Sequence, residues 1–132
     1  MRFFDKINIL IVDDDQDLLV GLGIRLRAAG YRIAVAPDAG AAARAVLMQR
    51  PNLILLDLGL PGGGGLALLQ RLKGSPATES IPIIVITARD SAEETKVVQA
   101  GALAFFQKPV DNAELLAAIT VGLENQSAAL VR

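Results

Sequence analysis

The sequence predicts an α/β protein, a doubly wound sandwich built on a parallel five-stranded sheet in the order 2-1-3-4-5. Three observations lead there. Short apolar runs recur five times, at residues 7–12, 31–35, 53–56, 81–86 and 102–106, the first almost unbroken in β-branched and apolar residues. Most are close to continuously apolar, as strands covered on both faces are, rather than alternating like half-exposed strands. Each run is followed by a segment with helical spacing or helix-start signals, and strands joined through helices pair in parallel with right-handed crossovers. Of the two common strand orders, 2-1-3-4-5 suits five such units, and its switch point lies between strands one and three.

The first run ends on Asp13-Asp14-Asp15, and Asp15 or Gln16 then opens a helix. Leu19, Leu22 and Leu26 follow at helical spacing up to Gly30, a C-cap signal. The second strand, 31–35, leads to Pro37-Asp38, which opens a helix with Ala39, Ala42, Ala43, Ala45 and Val46 on its small-residue side. Pro51 stops that helix. The third strand, Leu53 to Leu56, ends on a single carboxylate, Asp57, before Pro61 and four glycines, 62–65. These glycines read as a flexible loop. A G-x-G-x-x-G or Gly-Lys-Ser/Thr motif after the first strand, which a phosphate loop would need, is missing. Helical spacing resumes from Leu66 to Leu72, and 75–80 is a polar loop. The fourth strand, 81–86, ends on Thr87. Ser91-Ala-Glu-Glu94 reads as a capping box for the next helix, which Gly101 stops. The fifth strand, 102–106, runs into Gln107-Lys108-Pro109. Asp111 caps a last helix from Ala113 to about Leu123, and 125–132 reads as a frayed tail.

Bulk composition narrows the chemistry. A chain of 132 residues, 52% hydrophobic and 20% charged, fits one packed domain. A net charge of −1 gives no long-range attraction to nucleic acid or anionic membrane, so neither is expected as a direct partner. The chain contains no Cys and no His. Disulfides, thiolate or imidazole metal sites, a Ser-His nucleophile and a phosphohistidine are therefore excluded, and the lack of Cys suits a reducing cytoplasm. Residues 1–6 are too short for a signal peptide, and no apolar run approaches a membrane span.

On the predicted sheet the strand ends carry Asp13 and Asp14, Asp57, Thr87 and Lys108 to one rim, where doubly wound sheets bind ligands. Taken singly, Asp57 reads as a turn cap, Thr87 as structural and Lys108-Pro109 as a solvated turn. Together, Ile-Val-Asp13-Asp14-Asp15, Leu-Leu-Asp57-Leu-Gly59-Leu-Pro61 with Gly65, Thr87-Ala88 and Gln-Lys108-Pro109 resemble the receiver domain (CheY-like) of bacterial two-component response regulators. The resemblance runs from Ile7 to about Leu123 and implies a flavodoxin-like fold, with a receiver at 1–124 and a tail or linker start at 125–132.

The resemblance also implies roles. Asp57 is the expected phosphoacceptor, taking a phosphoryl group as an acyl phosphate. Asp13, Asp14, Asp57 and the backbone carbonyl of Gly59 would hold Mg²⁺, a hard cation suited to oxygen ligands. Lys108 would pair with a phosphoryl oxygen and Thr87 would bond the group once it arrives. Thr87 and Phe105 would then couple the site to the face made by helix four, strand five and helix five, although Phe105 reads equally as core. Asp15 reads better as a helix N-cap than as a ligand. Gly59 and Arg89 stand at positions that shape the access of hydrolytic water. Leu103-Ala104, without acids, argue against a dimer held by ion pairs on that face.

The expected partners are a histidine kinase or histidine phosphotransfer protein, docking on an apolar patch of Leu18, Gly21, Pro109 and Val110, and a downstream protein. The expected role is a cytoplasmic signalling switch rather than an enzyme, assisting only its own phosphorylation and dephosphorylation. No DNA-binding segment follows helix five, which leaves a stand-alone receiver or one domain of a longer regulator. Two alternatives stay open. A haloacid-dehalogenase-like phosphatase wants Asp-x-Asp-x-Thr/Val after strand one; Asp13 and Asp15 begin that pattern, but Asp17 occupies its fifth place. The other is a pseudo-receiver, a binding module that never carries phosphate.

Overall fold

Four consecutive apolar residues, Leu53–Leu56 (β3), are all buried, and this strand lies at the centre of the sheet. In a computed structural model, residues 7–61, 64–88 and 91–131 are described, with side chains except at 91 and 126–131. The sheet has five parallel strands in the order β2-β1-β3-β4-β5. They are β1 (Asn8–Val12), β2 (Arg32–Ala36), β3, β4 (Ile83–Thr87) and β5 (Ala104–Gln107). The helices are α1 (Gln16–Ala28), α2 (Ala39–Gln49), α3 (Gly64–Lys73), α4 (Glu94–Gln99) and α5 (Asn112–Val131). This is the doubly wound order the sequence predicts.

Strand pleating divides the core in two. Leu10, Val12, Ile54, Leu56, Ile83 and Val85 face Ala42, Val46, Leu68, Leu69 and Val97 of α2, α3 and α4. Ile9, Ile11, Leu53, Leu55, Ile84 and Ile86 face Leu19, Leu22 and Leu26 of α1 and Leu115 and Ile119 of α5. Each central strand thus buries both faces, which is why these runs do not alternate in the sequence.

Several boundaries differ from the sequence reading, each for a local reason. Pro82 has no N–H to give to a ladder, so β4 begins at Ile83 rather than at 81, and Ile54 N donates to the Pro82 carbonyl. Ala102 N donates to the Val97 carbonyl, which spends Ala102 on the end of α4 and delays β5 to Ala104. The Ser91 capping box does not open an α-helix directly; a 3-10 turn at Ser91–Glu93 precedes α4. Gly64 and Gly65, expected in a flexible loop, form the first turn of α3. The tail expected to fray from Asn125 is instead helical to Val131, because no Pro interrupts 113–131 and Ala128-Ala129-Leu130 favour helix. Residues 1–6, Gly62, Gly63 and Arg89 lie outside the described residues.

The α3–β4 connection is fastened by two cations in addition to its own turns, in which the Thr78 and Glu79 N–H groups donate to the Ser75 carbonyl. Lys73 Nζ donates to the carbonyls of Glu79 at 3.0 Å and Ile81 at 2.7 Å, and Arg50 donates to the Ala77 carbonyl. Thr78 Oγ1 donates to the Leu72 carbonyl at 2.6 Å. Burial lowers the Lys73 ammonium below its ordinary value, against the opposing charge of Glu79. This clamp sits at the opposite end of the sheet from the acidic strand ends.

Candidate functional site at the carboxyl rim of the sheet

Asp13 directly follows β1, and its N–H donates to the Ala36 carbonyl at 3.1 Å, so the ladder fixes its backbone. Asp57 directly follows β3 and donates its N–H to the Val12 carbonyl at 2.9 Å. Adjacent central strands thereby bring two carboxylates to one rim. Asp13 is 2% and Asp57 6% exposed, whereas Asp14 is exposed. Oxygens of Asp13, Asp14 and Asp57 lie within 4.8 Å of one another. Like charges so close, two of them buried, need a positive partner.

Lys108 supplies one. It follows β5, where its N–H donates to the Thr87 carbonyl at 2.8 Å, and the Lys108-Pro109 peptide is cis. Its Nζ lies 2.8 Å from Asp13 Oδ2 and 3.8 Å from Asp57 Oδ2. Burial pushes the Asp13 carboxyl above the ordinary carboxylate value; the Lys108 and Asp15 N–H hydrogen bonds oppose this, and the Asp57 charge adds to it. Burial alone would lower the Lys108 ammonium, but the Asp13 hydrogen bond and the charges of Asp13, Asp57 and Asp15 outweigh it, so it stands raised. The site is thus an acid-rich pocket with a protonated lysine seated chiefly on Asp13.

Local bonds aim the carboxylates. Asp13 Oδ1 accepts the Asp15 N–H at 2.9 Å, and Asp57 Oδ1 accepts the Gly59 N–H at 3.0 Å. Asp15 itself caps α1, its Oδ1 accepting the Leu18 N–H at 3.2 Å, as the sequence favoured. Thr87 ends β4 and is fully buried. Phe105 pairs in register with Val85, and Thr87 with Gln107. Since alternate residues share a face, Thr87 and Phe105 lie on the same face of the sheet, and half-buried Phe105 packs against the α2–α4 core.

The four apolar docking candidates also meet. Leu18, Gly21, Pro109 and Val110 line one groove of about 490 Å³ together with Lys108, so it opens beside the acids. Asp15, Asp17 and Arg25 also line it; the sequence reading did not name Asp17 or Arg25 here, although their spacing from Leu18 and Gly21 on α1 was available. The closest approach the sequence left unread is at Gly65. A Cβ there would lie 2.5 Å from the Asp57 carbonyl oxygen.

A donor set of three carboxylates, in a chain without Cys or His, fits a hard divalent cation. The arrangement can also present a carboxylate nucleophile beside a lysine cation.

Comparison with known proteins agrees in sequence and in shape. Residues 9–120 match the response regulator receiver domain family. Transcriptional regulatory protein KdpE of Mycobacterium tuberculosis (strain CDC 1551 / Oshkosh) is 34% identical over 122 residues, which is 92% of this chain and 53% of KdpE. The phosphate regulon transcriptional regulatory protein PhoB of Pseudomonas aeruginosa is 38% identical over 111 residues, 83% of this chain and 48% of PhoB. The chain therefore spans about half the length of these curated relatives. The crystal structure of a CheY-like receiver domain protein from Methanospirillum hungatei JF-1 aligns with a TM-score of 0.85 at 31% identity, covering 93% of this chain and 98% of that one. With its sheet order, its acidic rim and these likenesses in accord, the chain belongs to the response regulator receiver domain family.

Proposed function

We propose that this receiver accepts a phosphoryl group on Asp57 from the phosphohistidine of a kinase or phosphotransfer protein, and that Thr87 and Phe105 relay the event to the α4–β5–α5 face. The observation that carries the reading is the convergence of Asp13, Asp14 and Asp57 within 4.8 Å, with Lys108 Nζ 2.8 Å from Asp13 and 3.8 Å from Asp57. A carboxylate oxygen of Asp57 attacks phosphorus; the new O–P bond forms as the P–N bond to imidazole breaks, and the electron pair leaves with that nitrogen. Lys108, protonated across the working pH range, pairs with a phosphoryl oxygen once the group is present. Asp13, Asp14, Asp57 and the Gly59 carbonyl would hold Mg²⁺. When bound, the ion neutralises charge shared by these acids and the phosphoryl oxygens. Thr87 then donates its hydroxyl to the phosphoryl group, and Phe105 repacks on the same sheet face. This is a charge event read out by a surface with two packings.

The groove of Leu18, Gly21, Pro109 and Val110 is the docking surface for the donor's helical bundle on this reading, because these apolar residues stand together beside Lys108, with the charges of Asp15, Asp17 and Arg25 around them. Leu18→Asp should slow transfer from a protein donor while leaving labelling by a small donor intact; unchanged transfer would remove the assignment. The same reading puts the chain in the cytoplasm, acting through protein contacts rather than on nucleic acid or membrane. Among the described residues no helix is long and apolar enough to cross a membrane. It also takes 1–124 as the switching unit, with the last turns of α5 leading out of it.

Incubation with Mg²⁺ and acetyl phosphate, followed by intact mass, tests the function. The wild type gains one labile phosphoryl group, and Asp57→Ala gains none. Loss of the adduct in Asp13→Ala alone, with turnover of small phosphoesters, would mark a phosphatase instead, and no adduct at all a pseudo-receiver.

A further inference from the structure

The inference concerns Gly65, and it rests on Asp57 being the phosphoacceptor. The first turn of α3 passes directly beneath the backbone of that acid. A Cβ on Gly65 would stand 2.5 Å from the Asp57 carbonyl oxygen, 2.5 Å from Leu58 Cα and 2.8 Å from the Leu58 carbonyl oxygen. All three neighbours are backbone atoms, so no side chain can swing aside to make room. Gly65 is itself buried, so the methyl has no outward escape. Its neighbour in the same turn is different: a Cβ on Gly64 would meet only the side-chain atoms Ala39 Cβ at 3.3 Å and Leu60 Cβ at 3.9 Å.

We infer that Gly65 is a positioning residue for phosphoryl transfer: its missing side chain lets α3 seat the Asp57–Gly59 segment at the height where the Asp57 carboxylate meets Asp13 and Lys108. The groups Asp57 must meet are anchored elsewhere. Asp13, after β1, is held by its N–H bond to Ala36 of β2, and Lys108, after β5, by its N–H bond to Thr87 of β4. A methyl at 65 pushes the Asp57 carbonyl and Leu58 off α3, turning the segment about the Asp57 N–H bond to Val12 while those anchors stay. The carboxylate, whose Oδ1 is tied to Gly59 N, and the Gly59 carbonyl move with that segment. A displacement of about 1 Å is enough to cost a reaction some hundredfold when geometry carries the catalysis, as it does in phosphoryl transfer.

The test uses the full chain as wild type, Gly65→Ala and Gly64→Ala, with acetyl phosphate and Mg²⁺, following labelling by intact mass and Mg²⁺ binding by calorimetry. Both substitutions gain helix propensity, so they separate position from helix formation. Gly65→Ala, folded by circular dichroism at the assay temperature, should label at least about tenfold more slowly and bind Mg²⁺ more weakly, whereas Gly64→Ala stays within about twofold of wild type. To guard against loss of fold, Gly65→Ala is also placed in a Gly40→Ala background; Gly40 lies inside α2, and its added Cβ would meet only side-chain atoms, Asp38 Oδ1 at 3.4 Å and Arg44 Nη1 at 3.7 Å. Wild-type rate and Mg²⁺ affinity in folded Gly65→Ala would overturn the inference, as would failure to fold in both backgrounds, which would make Gly65 a requirement of folding alone. An unlabelled wild type would instead overturn the phosphoacceptor reading beneath it.

Discussion

Replacing Asp57 by Asn removes one of three crowded charges while keeping the shape that accepts the Gly59 N–H. The competing terms can be set against each other. At an effective dielectric of about 20, repulsion between Asp57 and Asp13 at the 4.8 Å limit is about 3.5 kcal/mol, and exposed Asp14 adds roughly 1 kcal/mol. Attraction to Lys108 at 3.8 Å is about 4.4 kcal/mol on the same footing. The pair terms nearly cancel. What remains is the desolvation of a carboxylate only 6% exposed, which costs several kcal/mol and is much reduced for an amide. Without divalent ions, Asp57→Asn should therefore be more stable than wild type by about 2 kcal/mol, or roughly 6–10 °C in Tm for a chain of this size. Mg²⁺ at a hundredfold excess over its Kd should raise the wild type by about 2.7 kcal/mol and the variant, short of a ligand, by much less. Thermal unfolding in EDTA and in Mg²⁺ measures both. A variant less stable than wild type in EDTA, or a gap that Mg²⁺ does not narrow, would refute the picture of an acid cluster kept at a cost in stability for the sake of ion binding.

Three further outcomes are expected. Lys73 has a lowered pKa, so the folded chain loses this proton before the unfolded one; its contribution to stability therefore rises with pH in the window below 10.5. The stability of wild type relative to Lys73→Met should rise across that window in denaturant titrations, and a flat or falling difference would contradict the burial of this ammonium. Gly21→Ala should raise Tm by about 3–5 °C, since helix propensity favours Ala by about 1 kcal/mol and the site is open, whereas a lower Tm would show a contact the structure lacks. Thr87→Val should still take up phosphate, but the Phe105 ring resonances should no longer shift on phosphorylation; a wild-type shift would separate Phe105 from the hydroxyl.

Most of the fold could be read in the sequence because burial on both faces leaves a plain pattern. Leu53–Leu56 was bounded correctly, since Pro51 and Asp57 punctuate it. Asp15 and Asp38 were legible as caps because a short side-chain acceptor before a helical run satisfies its own local N–H. The meeting of Asp13, Asp14, Asp57 and Lys108 followed from strand order alone, since every strand end reaches the same rim. What escaped was set by tertiary contact. Four consecutive glycines look like slack chain; that Gly65 instead lies against the Asp57 backbone depends on how α3 packs. Lys108 was legible as a partner of the rim acids, but its choice of Asp13, 95 residues away in sequence, over Asp57 is set by side-chain geometry. The start of β5 moved because Ala102 was taken by the end of α4, a competition that periodicity does not register.

The central claim, that Asp57 is the residue that carries the phosphoryl group, is tested most directly by locating the adduct. After incubation with acetyl phosphate and Mg²⁺, borohydride reduction converts an aspartyl phosphate to homoserine, and peptide mass mapping finds where. The account predicts homoserine at residue 57 and at no other acid, with the signal lost when EDTA replaces Mg²⁺. Reduction at Asp13 or Asp14, or an undiminished signal without the ion, would contradict it.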